Sequence, residues 1–148
     1  GVAQRYHLAI LQFDVRDKQR HLGIVGIFYQ RQFRTLPEHF RIPCTEAGFR
    51  PGKMHQKVGG AEVLMKHIGG YPGKYDPSIA GSIFTRPPKL FISGHSHILK
   101  VKYDKTLDML HINPGAAGKY GFHKVRTLVR FVIDEGNFKD LEVIELAD

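Results

Sequence analysis

His95 and His97 stand one residue apart, directly after the apolar run Leu90-Phe91-Ile92 and the bend Ser93-Gly94. Residues two apart on extended backbone share one side. In a turn leaving a strand end, two imidazoles at this spacing can reach a common centre. Gly94 lets the backbone bend and leaves room for a ligand to approach. Imidazole suits Zn, Mn, Fe and Ni, and open α/β sheets place their sites at strand ends. Taken alone, the same spacing also describes two solvent-exposed loop histidines.

Two further strand ends repeat the pattern. Val63-Leu64-Met65-Lys66 runs into His67 and then Ile68-Gly69-Gly70, while Leu110-His111-Ile112 runs into Asn113, Pro114 and Gly115. Three apolar runs that each end in His or Asn before a glycine turn point to one rim gathered around one site.

The elements that must carry this rim are legible after residue 60. Residues 62–66 and 90–93 read as strands, and 99–103 with 107–112 as a hairpin around Asp104-Lys105-Thr106. Residues 125–134 and 138–146 alternate as half-exposed antiparallel strands do, turning at Glu135-Gly136-Asn137. A short helix is expected around 78–84. Earlier in the chain, 7–13 and 22–28 are apolar enough for buried strands, no amphipathic helix joins them, and 45–60 reads as a long polar loop.

Composition bounds the function. At 148 residues the chain is expected to form a single domain, 1–148, with a real core. No run approaches the roughly 18 apolar residues of a membrane span, and no secretory pattern opens the chain, so no membrane partner is expected. The lone Cys44 excludes an internal disulfide framework and implies a reducing, cytoplasmic setting. The net charge of +8 raises nucleic acid as a partner, but residues 1–60 hold 10 Lys+Arg against 4 Asp+Glu, and 61–148 hold 12 against 10. The excess is scattered through the first sixty residues and follows no helical face, which disfavours nucleic acid.

The Gly-His-Ser-His stretch (94–97), with Asn113-Pro114-Gly115-Ala116 downstream and His67 upstream, resembles the calcineurin-like metallophosphoesterases, in particular the small bacterial phosphodiesterases of the YfcE type. The resemblance covers about residues 61–148, with motif order and spacing intact. It implies an α/β fold of two mixed β-sheets packed as a sandwich with flanking helices. It also implies two divalent metal ions (Mn, Zn, Fe or Ni) and hydrolysis of a phosphate ester, from a small molecule or a nucleotide. Carried over residue by residue, His67 and His95 would ligate one metal and His97 the other. Gly94, Asn113 and Gly115 would shape the rim. A hydroxide bridging the two ions would attack phosphorus in line.

Residues 1–60 depart from that pattern and form an atypical or truncated N-terminal part. The family carries Asp-x-His, Gly-Asp and Gly-Asn motifs there, and this chain has none of the three. Without a bridging aspartate, two adjacent cations repel strongly, so partial metal occupancy is expected. The tetrapeptide Leu-Ala-Ile-Leu at 8–11 is what one coding of Gly-Asp-Ile-Gly yields when its frame starts two bases earlier, which is the frame reached by skipping one base. A one-base slip in the coding sequence would therefore account for the loss. Otherwise His7 and Asp14, which flank the first apolar run, are the substitute ligands, with His21 and Cys44 behind them. His39, His55, His111 and His123 lack a comparable constellation. Tyr71, Lys74 and Tyr75, and the basic group Lys119, His123, Lys124 and Arg126, lie where an anionic substrate would arrive. Two other readings stay open. One is a catalytically degenerate member serving as an interaction module, as the retromer subunit of this fold does. The other is a basic nucleic-acid binder, which no recognised motif supports; a homo-oligomer is the remaining partner expectation.

Overall fold

The structure is a computed structural model; it describes residues 6–14, 20–29, 53–118 and 122–147, with side chains from His55 onward apart from Gln56 and Val58. In chain order the elements are β1 (Tyr6–Asp14), β2 (Arg20–Tyr29), β3 (Lys53–Val58), β4 (Ala61–Lys66), the short pair β5 (Gly70–Tyr71) and β6 (Lys74–Tyr75), α1 (Pro77–Thr85), β7 (Leu90–Ser93), β8 (Leu99–Asp104), β9 (Met109–Pro114), β10 (Arg126–Asp134) and β11 (Asn137–Leu146).

The strands form two larger sheets. One has the order β1-β2-β10-β11 and is antiparallel throughout; the other has the order β3-β4-β7-β9-β8. In the second sheet β4, β7 and β9 run parallel, and the edge strands β3 and β8 are antiparallel to their neighbours. β7 is buried at all four positions because both of its faces are covered. Leu90 and Ile92 join Ala61, Val63, Met65 and Ile112 against Val129, Phe131 and Ile133 of β10, and this is the core between the sheets. On the opposite face, Phe91, Leu64 and Met109 meet Ile79 and Ile83 of α1. Those two isoleucines stand four apart, so they fall on one side of the helix.

α1 begins where the sequence supplies both start signals. Asp76 caps it by accepting from the Ser78 N–H at 3.0 Å, and Pro77 occupies the first turn. Asp76 also lies 3.6 Å from the Nζ of Lys66, whose amine donates to Ser78 Oγ. This largely buried lysine is thereby paired at the helix start.

Two expectations are corrected. Residues 53–58, inside the stretch read as a polar loop, form β3 and pair with β4 across a tight turn in which Gly59 (φ 54°) and Gly60 (φ 84°) are both left-handed. Such a two-residue glycine turn specifies a hairpin, and the polar residues of β3 are tolerated because it is an edge strand. Residues 45–52 lie outside the described residues. The β8–β9 hairpin also turns later than its composition suggests. Asp104 accepts from the Thr106 and Leu107 N–H groups at 3.0 and 3.2 Å, Asp108 takes φ 50°, and β9 starts at Met109.

Candidate active site

Because β4, β7 and β9 are parallel neighbours, their C-terminal ends lie along one edge, and His67, the His95–His97 turn and Asn113 follow from them. The Gly94 N–H donates to the His67 carbonyl at 2.9 Å, which fastens the end of β4 to the end of β7. The Ser96 N–H folds back on the Gly94 carbonyl at 2.8 Å. Asn113 Nδ2 donates to the Gly94 carbonyl (3.1 Å) and to Ser96 Oγ (3.0 Å), and its Oδ1 accepts from the Gly115 N–H at 3.2 Å. One buried amide thus joins the histidine turn to the Pro-Gly turn. Both His95 (φ 67°) and His97 (φ 58°) adopt the left-handed conformation, which costs about 1–3 kcal/mol per non-glycine residue and persists only where surrounding contacts impose it.

The turn parts the histidines into two pairs. The rings of His67 and His95 meet edge to face, with centroids 5.3 Å apart and planes at 82°. His97 lies against His123, with centroids 5.6 Å apart and planes at 78°. Burial, with His123 and His95 alongside, holds the His97 imidazole below its ordinary range, so it is neutral at pH 7. His123 had no constellation in the sequence. Twenty-six residues separate it from His97, and no local pattern links them.

Beside His95 opens a cavity of about 210 Å³ lined by Gly70, Tyr71, Gly94, His95, Lys100 and Asn113 among others. The Lys100 ammonium sits 3.9 Å from the centre of the Tyr71 ring, a cation–π contact that holds a positive charge at the cavity wall. His111 also reaches this wall but is fully buried. Its Nε2 lies 2.8 Å from Ser93 Oγ, and the serine hydroxyl itself donates to the Gly70 carbonyl at 2.9 Å. Nε2 of His111 therefore carries the proton. Burial, with the Lys100 charge added, lowers this imidazole to about 4.

Other candidates are placed elsewhere. Tyr75 packs against Phe84 and Phe91 and donates to Asp104 at 2.7 Å. Arg126 donates to the carbonyls of Ala117 and Ala147, both at 2.9 Å, so its guanidinium is a staple between loop and C-terminus. His55 lies 3.4 Å from Glu62 on the β3–β4 pair. Lys119 and Cys44 lie outside the described residues, as do the side chains of His7, Asp14 and His21. The backbone alone constrains two of these. His7 and Asp14 stand at opposite ends of β1, some 23 Å apart at the rise of a strand, so at most one can belong to any single site.

The family pattern calls for two divalent ions, and the donors can be tested for fit. Among the described residues no three His, Cys, Asp or Glu side chains gather as a metal-holding group. The imidazoles come in twos, and no described carboxylate lies between the pairs. These residues do not by themselves fit a dinuclear centre, and no chemical step is assigned to an ion.

Residues 44–136 match the family model of the calcineurin-like phosphoesterase superfamily domain. No curated protein matches the chain. Among solved structures, a conserved protein from Streptococcus pneumoniae described as a predicted phosphoesterase is similar at 16% identity and a TM-score of 0.52, with 68% of this chain and 57% of that one covered. An archaeal phosphodiesterase is similar at 20% identity and a TM-score of 0.46 (64% and 50% covered). Vps29 from Chaetomium thermophilum is similar at 16% and 0.43 (69% and 63% covered). The chain thus spans 57% of the length of the streptococcal protein. The family match starts at Cys44, inside the stretch that reads as atypical, and takes in the β3–β4 hairpin, the histidine turn and the Asn113 brace. The chain belongs to the calcineurin-like phosphoesterase superfamily.

Proposed function

We propose that the protein hydrolyses a phosphate ester, specifically a phosphodiester of a small molecule or nucleotide, at the rim formed by His67, His95 and His97. The observation that carries this reading is the convergence of His67 and His95 at adjacent parallel strand ends, beside a cavity of about 210 Å³. The cavity suits the organic part of the ester, with Tyr71 as an apolar wall and Lys100 as a fixed cation near the phosphoryl charge. Gly94 and Gly70 line the cavity with bare backbone, and Asn113 and Gly115 hold the turn. Divalent ions are the usual chemistry of this superfamily. His67, His95 and His97 supply imidazole donors for them, while a bridging carboxylate has to come from outside the described side chains. The register excludes Asp14 from that role: it pairs with His21, which pairs with Ile133, at the end of β10 that meets the Gly59–Gly60 turn and not the rim. A reducing, cytoplasmic setting accords with the lone Cys44.

The test is hydrolysis of bis(p-nitrophenyl) phosphate with Mn²⁺ or Ni²⁺. His95→Ala and His97→Ala should each lower the rate at least a hundredfold, and unchanged rates in both overturn the reading. A second reading, an interaction module on a phosphoesterase scaffold, is favoured by the missing carboxylates and by the exposed Ile68, Ile98 and Leu99 near the rim. It predicts no turnover with any divalent ion. Peptide mapping of residues 1–60 decides whether a coding slip removed the acidic ligands.

A further inference from the structure

Behind the rim, Ser93 and His111 are both buried and bonded to each other. Ser93 Oγ accepts from His111 Nε2 at 2.8 Å and donates to the Gly70 carbonyl at 2.9 Å. One relay thus joins β7, β9 and the β5–β6 hairpin. A second bond holds the same hairpin, since the Asp76 N–H donates to the Gly69 carbonyl at 3.0 Å. Gly70 is left-handed at φ 75°, and a Cβ there would fall on the Lys74 carbonyl oxygen. The relay therefore fixes the residue before Tyr71, whose ring stands in the cavity wall against Lys100.

That wall offers a ligand few hydrogen bonds. The carbonyls of Gly69, Gly70 and Gly94 already accept from Asp76, Ser93 and Asn113. Ser96 Oγ accepts from the Asn113 amide and from the Ile98 N–H at 3.2 Å. Ile68, Ile98 and the Tyr71 ring supply apolar surface. Hydroxyls entering such a cavity lose water and gain few partners, which weakens binding. A flat apolar group gains by burying its faces. A cavity of about 150 Å³ accommodates benzene, so about 210 Å³ is room for one substituted or fused ring.

We propose that Ser93 and His111 are positioning residues that hold the Gly70–Tyr71 wall, and that this wall selects esters carrying a flat apolar group over those carrying a polyol. The proposal rests on the rim being the phosphoester site and adds which organic arm that site accepts. Ser93 and His111 act through the hairpin, and Tyr71 meets the ligand.

Calorimetric titration of the whole chain at neutral pH, with phenyl phosphate and with glycerol 3-phosphate, measures the selection without turnover. Phenyl phosphate should bind about tenfold or more tightly than glycerol 3-phosphate. Ser93→Ala should narrow that ratio to less than about threefold, and Ser93→Thr, which keeps the hydroxyl, should restore it. Equal affinities in the parent chain, or no measurable binding of phenyl phosphate, overturn the proposal. An absence of hydrolysis beside the full preference overturns only the hydrolytic reading. A ratio unchanged in Ser93→Ala overturns the role given to the relay. Where Ser93→Ala does not fold, Tyr71→Ser on the exposed hairpin is the second variant; it should abolish the preference, and an unchanged ratio overturns the proposal. The Lys100 ε-methylene protons report on the wall itself. Over the Tyr71 ring they should resonate upfield of an ordinary lysine in the parent and return toward the ordinary position in Ser93→Ala. A resonance that does not move overturns the positioning role.

Discussion

Asn113 Nδ2 lies 3.1 Å from the carbonyl oxygen of Gly94 and donates to it, so the last strand of the parallel set grips the turn that presents His95 and His97. The same amide reaches Ser96 and the Gly115 N–H. With three contacts at one buried side chain, Asn113→Ala should lower stability by about 2–4 kcal/mol. It should also lower hydrolysis more than stability accounts for, since the left-handed histidines lose their brace. Thermal melting and the aryl phosphodiester assay measured on one preparation check this. Asn113→Asp keeps the acceptor toward Gly115 but loses the donor, and should recover less than half of the lost stability.

Gly115 permits no side chain. At φ 73° it occupies the left-handed region, and a Cβ there would fall on Thr127 Oγ1. Conformational strain and overpacking together predict that Gly115→Ala destabilises by about 2–4 kcal/mol. Thr127→Ala in the same chain should return part of that loss by clearing the clash, although the Thr127 bond to the Pro114 carbonyl is then gone. Denaturant melts of the two single variants and the double should therefore be non-additive.

His111 should make the fold acid-labile. Its folded-state value of about 4 lies below the roughly 6.5 of an unfolded chain. Between those values the unfolded state binds a proton that the folded state does not, so stability falls as pH falls through the window. The contribution is fully present above about pH 6.5 and is reduced by about 3 kcal/mol at pH 4. Charging the ring also creates a donor at the buried Nδ1, which has no hydrogen-bond partner among the described residues. His111→Gln should flatten the decline between pH 6.5 and 4 in urea melts.

Tyr75 ties the short β5–β6 hairpin to the β8–β9 turn through its bond to Asp104. The tyrosine bond holds the Asp104 carboxyl below its usual range, and burial beside that carboxylate pushes the Tyr75 hydroxyl up. Tyr75→Phe should cost about 1–2 kcal/mol at pH 7. A depressed carboxylate stabilises above its unfolded value and loses that contribution as it protonates, so the gap between parent and variant should close below about pH 4. Melting curves of both proteins across acid pH test it.

Local physics decided a large share of the architecture. Alternation in β10, the continuous apolar run of β7 and the Asp76-Pro77 start of α1 are short-range signals that tertiary packing reinforced. The β3 strand was not legible, because Lys53, His55 and Lys57 carry no apolar alternation and the strand exists through pairing with β4 at a sheet edge. His67, His95, His97 and Asn113 could be singled out by their shared setting at strand ends, since a strand end followed by glycine is a local event. How they associate was beyond local pattern. The turn conformations at His95 and His97, held by Asn113 and the His67 carbonyl, separate the histidines into two pairs and bring in His123 from another loop. By itself the sequence determined which side chains have ligand chemistry and which strands carry them. Tertiary structure alone decided which rings touch, because that depends on parallel pairing between strands distant in the chain and on left-handed backbone imposed by their neighbours.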